Sequence, residues 1–196
     1  KLYRALVQHG PFTSKEAREF DGDSTLLQAL EKKGLAKRKI QDPNYGLTRE
    51  TLTLSTEQDT AVQDIVSTLG SFRVHLLDGI TGSGKTEVYL RAIAKTLAQG
   101  LQALILVPEI GLAPQTVKRV RERFGEAAII HSATSAGHRF NTWTNTKTGK
   151  HRILIGTRSA LFTPFQKLGL IVIDEEHDTS YKQEEGIRYQ ARDMAI

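Results

Sequence analysis

The chain has 196 residues, 39% of them apolar and 25% charged, with 16 Gly and 5 Pro, which fits a folded globular chain and excludes disordered, collagenous and coiled-coil proteins. Its longest apolar stretches, residues 103–108 and 168–173, fall far short of the roughly 20 residues of a membrane-spanning helix. With no cysteine, disulfides, thiolate metal sites and a cysteine nucleophile are excluded, so any metal must be held by oxygen or imidazole.

The net charge of +5 is unevenly spread: residues 1–40 hold nine basic and five acidic residues and carry +4, leaving +1 for the other 156. That bias suits an anionic partner, or a solvated basic face. Helical spacing is visible in Leu2, Leu6 and Val7; Thr13 and Glu16 form a capping box ahead of Ala17 and Phe20; Asp21-Gly22-Asp23 turns the chain into a helix over 24–33. Gly34 stops that helix, and Leu35-Ala36-Lys37-Arg38-Lys39 follows as a strand-like wing, the order of a winged helix-turn-helix. The predicted organisation is a winged-helix DNA-binding module over 1–41, a linker over 42–55 around Pro43 and Gly46, and a larger domain over 56–196. Because the chain begins with Lys1 and no targeting motif follows, it is expected to be a piece of a longer cytoplasmic protein.

From Thr56 onward short apolar runs alternate with amphipathic stretches. The runs are residues 74–77, 103–107, 127–130, 153–155 and 170–173. Between the first two, Val88, Tyr89, Ala92, Ile93, Thr96 and Leu97 share one helical face; between the second and third, Val117, Val120 and Phe124 do so more weakly. Continuous apolar strands alternating with helices predict an α/β domain whose parallel sheet is covered by helices on both faces.

Two motifs carry chemistry. Gly79-Ile80-Thr81-Gly82-Ser83-Gly84-Lys85-Thr86 fits G-x-x-x-x-G-K-[ST] between a predicted strand and a predicted helix. Glycines let successive backbone amides face phosphate oxygens, Lys85 reaches the β and γ phosphates, and Thr86 offers a hydroxyl to Mg²⁺. Gly79, Thr81, Gly82, Ser83 and Gly84 are therefore expected to cradle a nucleotide. The second motif is Leu170-Ile171-Val172-Ile173-Asp174-Glu175-Glu176-His177, an apolar strand that delivers adjacent carboxylates at its C-terminal end, where α/β sheets bind ligands. Asp174 is expected to join Thr86 on the metal, and Glu175 to orient or deprotonate the attacking water.

The Asp-Glu-Glu-His stretch resembles the DExH box of superfamily 2 helicases and translocases. The resemblance implies a RecA-like ATP-binding lobe using ATP and Mg²⁺, with Gln58 reading adenine and His177 coupling the nucleotide site to chain motion. The strings Leu77-Asp78-Gly79 through Tyr89, Val107-Pro108-Glu109-Ile110-Gly111-Leu112, Gly156-Thr157-Arg158-Ser159-Ala160-Leu161-Phe162 and Asp174 through Asp193 are similar to a bacterial family of replication-restart helicases within that superfamily. By that similarity Pro108, Glu109, Gln115, Thr157, Arg158 and Ser159 lie along single-stranded DNA. Residues 181–189 resemble an aromatic-rich loop that couples DNA binding to hydrolysis, with Tyr181 and Tyr189 stacking on bases and Lys182 and Arg188 neutralising phosphates.

The same resemblance implies 3′→5′ unwinding of stalled or branched forks, primosome assembly, single-stranded DNA-binding protein and primosome components as partners, and a nucleoid-associated bacterial location. It also implies a zinc module and a second RecA-like lobe outside these residues, so the chain alone is expected to bind Mg·ATP yet turn it over poorly. Thr134, His138 and Gln190 depart from the family pattern, and Trp143 reads as a packing residue. Two other functions stay open: another superfamily 2 translocase, and a transcriptional regulator that uses the lobe as a nucleotide sensor.

Overall fold

The computed structural model describes residues 53–80, 82–109 and 114–196, together with Ala29, Leu30, Lys32, Lys33 and Leu35. Two compact units divide the chain, Lys1–Asp42 and Pro43–Ile196. In the first, Lys33 N–H donates to the Ala29 carbonyl at 3.1 Å, a helical turn inside the predicted 24–33 helix. The rest of the predicted winged helix, and most of the linker, lie outside the described residues.

The second unit runs α1 (Thr56–Ser67), α2 (Lys85–Ala98), β1 (Gln102–Leu106), α3 (Pro114–Phe124), β2 (Ala128–Ile130), α4 (Ala136–Lys147), β3 (Ile153–Gly156), a 3₁₀ turn (Arg158–Phe162), β4 (Leu168–Ile173), a 3₁₀ turn (Thr179–Tyr181), a short β5 (Lys182–Gln183) and β6 (Tyr189–Gln190) hairpin, and α5 (Ala191–Ala195). The main sheet has the order β2-β3-β1-β4, with every pair parallel. Every residue of β1 is buried, which is why its sequence is continuously apolar after Gln102.

Alternate β1 side chains feed two cores. Ala103 and Ile105 pack with Leu90, Ile93 and Leu97 of α2 and with Val120 and Phe124 of α3. Leu104 and Leu106 pack on the other face with Ile130, Leu154, Ala160, Tyr181 and Ala191, and Trp143 lies against this cluster as a packing residue. Each fully buried Leu or Ile contributes about 1.5–3 kcal/mol by leaving water.

Gln102 is the exception in β1. Its amide is 2% exposed; its nitrogen donates to the Thr146 and His151 carbonyls at 2.9 and 2.7 Å, and its oxygen accepts from Gln166 and Lys167 N–H at 2.9 and 2.8 Å. One side chain thus ties the ends of α4 and the loop before β4 to the start of β1.

One predicted strand is corrected. Residues 73–80 run without strand pairing, and Phe72, Val74, Leu76 and Ile80 are 72, 56, 78 and 82% exposed. Among the described residues β4 pairs only with β1, and its side chains from Gly169 to Ile173 are half-buried. A four-residue apolar run becomes a strand only when an edge accepts its backbone groups, and periodicity carries no information about that edge.

Candidate nucleotide-binding site

Helix α1 starts with a reciprocal cap: Ser55 Oγ accepts from Gln58 N–H at 3.3 Å, and Gln58 Oε1 accepts from Ser55 N–H at 3.0 Å. The same Gln58 amide turns its nitrogen to the phosphate loop and donates to the Ser83 carbonyl at 2.8 Å. Gly84 then caps α2 with φ 86°, where a Cβ would be strained and would stand 2.5 Å from Gln58 Nε2. Gln58 is thereby brought to the glycine-rich loop.

Lys85 opens α2, and its ammonium donates to the Gly79 carbonyl and, at 3.3 Å, to the Ile80 carbonyl. Asp78 Oδ1 accepts from Gly79 N–H at 2.7 Å, and Ser83 N–H closes a turn onto the Ile80 carbonyl at 3.1 Å. The loop is folded around its own lysine, with Gly79 and Gly82 exposed. Thr81 lies outside the described residues.

At the end of β4, Asp174 N–H donates to the Leu106 carbonyl at 2.9 Å, so the sheet fixes its backbone. Tyr89, one turn beyond Lys85 on α2, donates from its hydroxyl to Asp174 Oδ2 at 3.2 Å. The helix that carries Thr86 is thereby tied to Asp174, and these two are the residues expected at the metal. Burial pushes the Asp174 carboxyl above the ordinary range and Glu175's charge adds to the rise, while the Tyr89 hydroxyl and the Lys85 ammonium oppose it. Burial and then the Asp174 charge raise the Tyr89 hydroxyl in turn.

Glu175 sits at φ 50°, the one non-glycine residue with positive φ among those described. That conformation costs roughly 1–2 kcal/mol and swings the chain sharply off the strand end. The Glu175 and His177 side chains are 60 and 76% exposed, with His177 Nε2 3.7 Å from Glu175 Oε2. Glu176 is tied instead to Arg192 of α5 at 3.0 Å.

The loops assigned to DNA converge one turn later. Asp178 caps a 3₁₀ turn by accepting from Ser180 N–H at 2.8 Å, and the Ser180 hydroxyl, followed by this N–H, holds its carboxyl below the usual range. Ser180 Oγ accepts from Glu109 N–H at 3.2 Å, while Arg158 donates to the Ser180 and Lys182 carbonyls at 2.9 and 3.1 Å. Gly156 lets the Arg158 turn approach this closely, since a Cβ there would strike Ala160 and stand 2.6 Å from the Ile130 carbonyl oxygen. Glu109, Arg158 and Tyr181–Lys182 thus share one junction.

The burial of some of these residues corrects the expectation. Tyr181 is 0% exposed, and its hydroxyl donates to the Asp174 carbonyl at 2.6 Å. It is a core residue bonded to the Asp174 main chain, and its ring offers no face to a base. Thr157 is 4% exposed and Pro108 is buried as well, so neither presents surface to a strand. Arg158 spends its guanidinium on main-chain carbonyls. Gln115, Lys182 and Arg188 are exposed, Ser159 is half-buried, and Tyr189 packs edge-on against Phe162 with centroids 5.1 Å apart. A cleft of about 650 Å³ opens beside the β5–β6 hairpin, lined by Lys182, Arg188, Tyr189, Arg192, Glu184 and Asp193 among others.

A model of the DEAD/DEAH box helicase family matches residues 55–195. The chain belongs to that family. Among curated proteins, this chain is 46% identical over 187 residues to the replication restart protein PriA of Bacillus subtilis, covering 90% of this chain and 23% of that protein. It is 52% identical over 146 residues to the PriA of Haemophilus influenzae, covering 74% of this chain and 20% of the relative, and 47% identical over 207 residues to that of Chlamydia trachomatis, covering 100% and 28%. The chain therefore spans 20–28% of the length of these three relatives. A solved structure of RecG bound to a three-way DNA junction overlays with a TM-score of 0.55 and 25% identity, covering 86% of this chain and 22% of RecG. The sheet and its helices are the RecA-like lobe of such helicases, and membership implies nucleotide and Mg²⁺ use in general.

The residues present fit that metal. The Asp174 carboxylate and the Thr86 hydroxyl are hard oxygen donors on elements tied by the Tyr89 hydrogen bond, and Mg²⁺ takes few protein ligands, leaving its other positions to water and phosphate. Tyr89 and Gln102 were absent from the sequence expectations as site and anchor residues. Tyr89 was visible as one helical turn beyond Thr86, and Gln102 as an amide heading an otherwise apolar strand.

Proposed function

We propose that this chain is the ATP-binding lobe of a DNA helicase that remodels branched replication forks, carried within a protein several times its length. The observation that carries the proposal is the Tyr89–Asp174 hydrogen bond, which ties the helix that begins with Lys85 and Thr86 to the β4 carboxylate. Relatives named for replication restart, and a structural neighbour seen on a three-way junction, support forked DNA as the substrate class.

In this mechanism Gly82, Ser83 and Gly84 offer main-chain amides to phosphate oxygens, and Lys85 exchanges the Gly79 and Ile80 carbonyls for the β and γ phosphates. Gln58, already on the Ser83 carbonyl, sits where the base enters. Thr86 and Asp174 would hold Mg²⁺, which when bound neutralises phosphate charge. Glu175, exposed at the strand end, orients the attacking water, and His177 and Glu175 transmit the outcome to the following turn. Unwinding polarity 3′→5′, partnership with single-stranded DNA-binding protein and primosome components, and slow hydrolysis by the isolated chain complete the proposal. They rest on the family resemblance.

Exposed Lys182 and Arg188 neutralise strand phosphates, and loop residues near Glu109, Gln115 and Ser159 position the backbone without reading sequence. The experiment is titration of the chain with fluorescent Mg·ADP. Wild-type binding that Lys85→Ala abolishes, with no measurable phosphate release when Mg·ATP is supplied instead, supports the proposal; equal affinity in the variant contradicts it.

A further inference from the structure

Helix α2 places Lys85 and Thr86 in its first turn, and the next residue, Glu87, enters a largely buried ionic cluster. Arg123 Nη1 donates to Glu87 Oε1 and Oε2 at 2.7 and 2.8 Å, and Arg91 Nε donates to Oε1 at 2.9 Å. The Arg123 and Glu87 side chains are only 7 and 16% exposed. Arg123 stands in the last turn of α3, and its guanidinium lies 6.0 Å from the ring centroid of the buried Phe124.

Helix α3 begins at Pro114, just beyond the segment that carries Glu109, and Gln115 lies in its first turn. An 11-residue helix spans about 16 Å at about 1.5 Å per residue, so α3 reaches from that segment to the phosphate-loop helix. Val120 and Phe124 already pack α3 against Tyr89, Leu90 and Ile93 of α2. Apolar packing holds two helices side by side but tolerates sliding, whereas a charge-assisted pair held at both carboxylate oxygens fixes one register.

We propose that Arg123–Glu87 is a positioning link through which the strand-contacting segment sets the first turn of α2, and with it Lys85 and Thr86. The proposal rests on the helicase function above. Strand contact at Glu109 or Gln115 shifts α3 along its axis, and Arg123 passes that shift to Glu87, one residue from the metal-site threonine. Arg91 holds the carboxylate from within α2, so the load falls on that helix as a unit.

The test uses the intact protein with Arg123→Met, Glu87→Gln and Arg123→Lys. ATP hydrolysis is measured with and without single-stranded DNA, strand affinity by fluorescence anisotropy, and folding by circular dichroism. In Arg123→Met and Glu87→Gln the stimulation of kcat by DNA is expected to fall at least fivefold with strand affinity retained, and Arg123→Lys is expected to keep most of it. If Arg123→Met fails to fold, the near-isosteric Glu87→Gln decides the matter. A lower melting temperature with wild-type stimulation per folded molecule overturns the link and leaves a structural ion pair. A wild-type protein that DNA does not stimulate overturns the helicase function and the link with it.

Discussion

Replacing Tyr89 by Phe removes one oxygen and nothing else. The ring is 6% exposed and keeps its packing in the variant, so no cavity opens; what is lost is the hydroxyl's bond to Asp174 Oδ2 at 3.2 Å. Hydrogen bonds to a charged group contribute about 1.5–3 kcal/mol net, and 3.2 Å is at the long end of the range, so about 1–1.5 kcal/mol is expected. At about 1.4 kcal/mol per decade this corresponds to roughly five- to tenfold weaker holding of the Asp174 carboxylate. The assay is fluorescent ADP titration with Mg²⁺ and again with EDTA. Tyr89→Phe should lose about five- to tenfold in affinity with Mg²⁺ and little without it, because Lys85 and the loop amides are untouched. Equal losses in both conditions, or none, would refute the role assigned to the phenol.

Further expectations follow from the same geometry. Gln102→Leu strands two main-chain N–H groups and two carbonyls, and should lower stability by about 3 kcal/mol or more, read from denaturant unfolding. A loss below about 1 kcal/mol would show that water replaces the amide. Tyr181→Ala should cost about 3–5 kcal/mol as a core truncation and Tyr181→Phe about 1 kcal/mol; an Ala variant of wild-type stability would return Tyr181 to the surface role the sequence suggested. The Asp174 carboxyl is raised in the fold, so between the ordinary carboxylate range and its elevated value the native state binds more protons than the unfolded chain. Nucleotide-free stability should therefore fall as pH rises through that window, and Asp174→Asn should flatten the slope; an unchanged slope would assign it to another group.

The phosphate loop and the Asp174 strand were legible because chemistry dictates residue identity there. No other pattern supplies closely spaced glycines, an ammonium and a hydroxyl at a helix start, and an apolar run ending in carboxylates announces a strand end. Strands β1 and β3 were legible as buried runs because both of their faces are covered, and β4 as an apolar run although it is only half-buried. The run at residues 74–77 looked the same and does not pair, since an unpaired edge elsewhere in the sheet leaves no trace in local spacing. Tyr181 was misjudged because an aromatic in a polar loop reads as exposed, and only the fold shows that its hydroxyl meets the Asp174 carbonyl. Arg158 looked like a phosphate ligand; its neighbours Ser180 and Lys182 lie more than twenty residues away in sequence, and their carbonyls claim it. Thr134, a departure from the family pattern, has a local explanation: its hydroxyl accepts from His131 N–H at 2.9 Å.

The central claim is that Lys85-dependent nucleotide chemistry on this lobe drives work on forked DNA. The most direct measurement is ATP hydrolysis and strand separation by the intact protein on a forked substrate, beside Lys85→Ala. Fork-stimulated hydrolysis and unwinding that both disappear in Lys85→Ala are the predicted result. Unwinding that survives the substitution, or hydrolysis indifferent to the fork, would contradict the account.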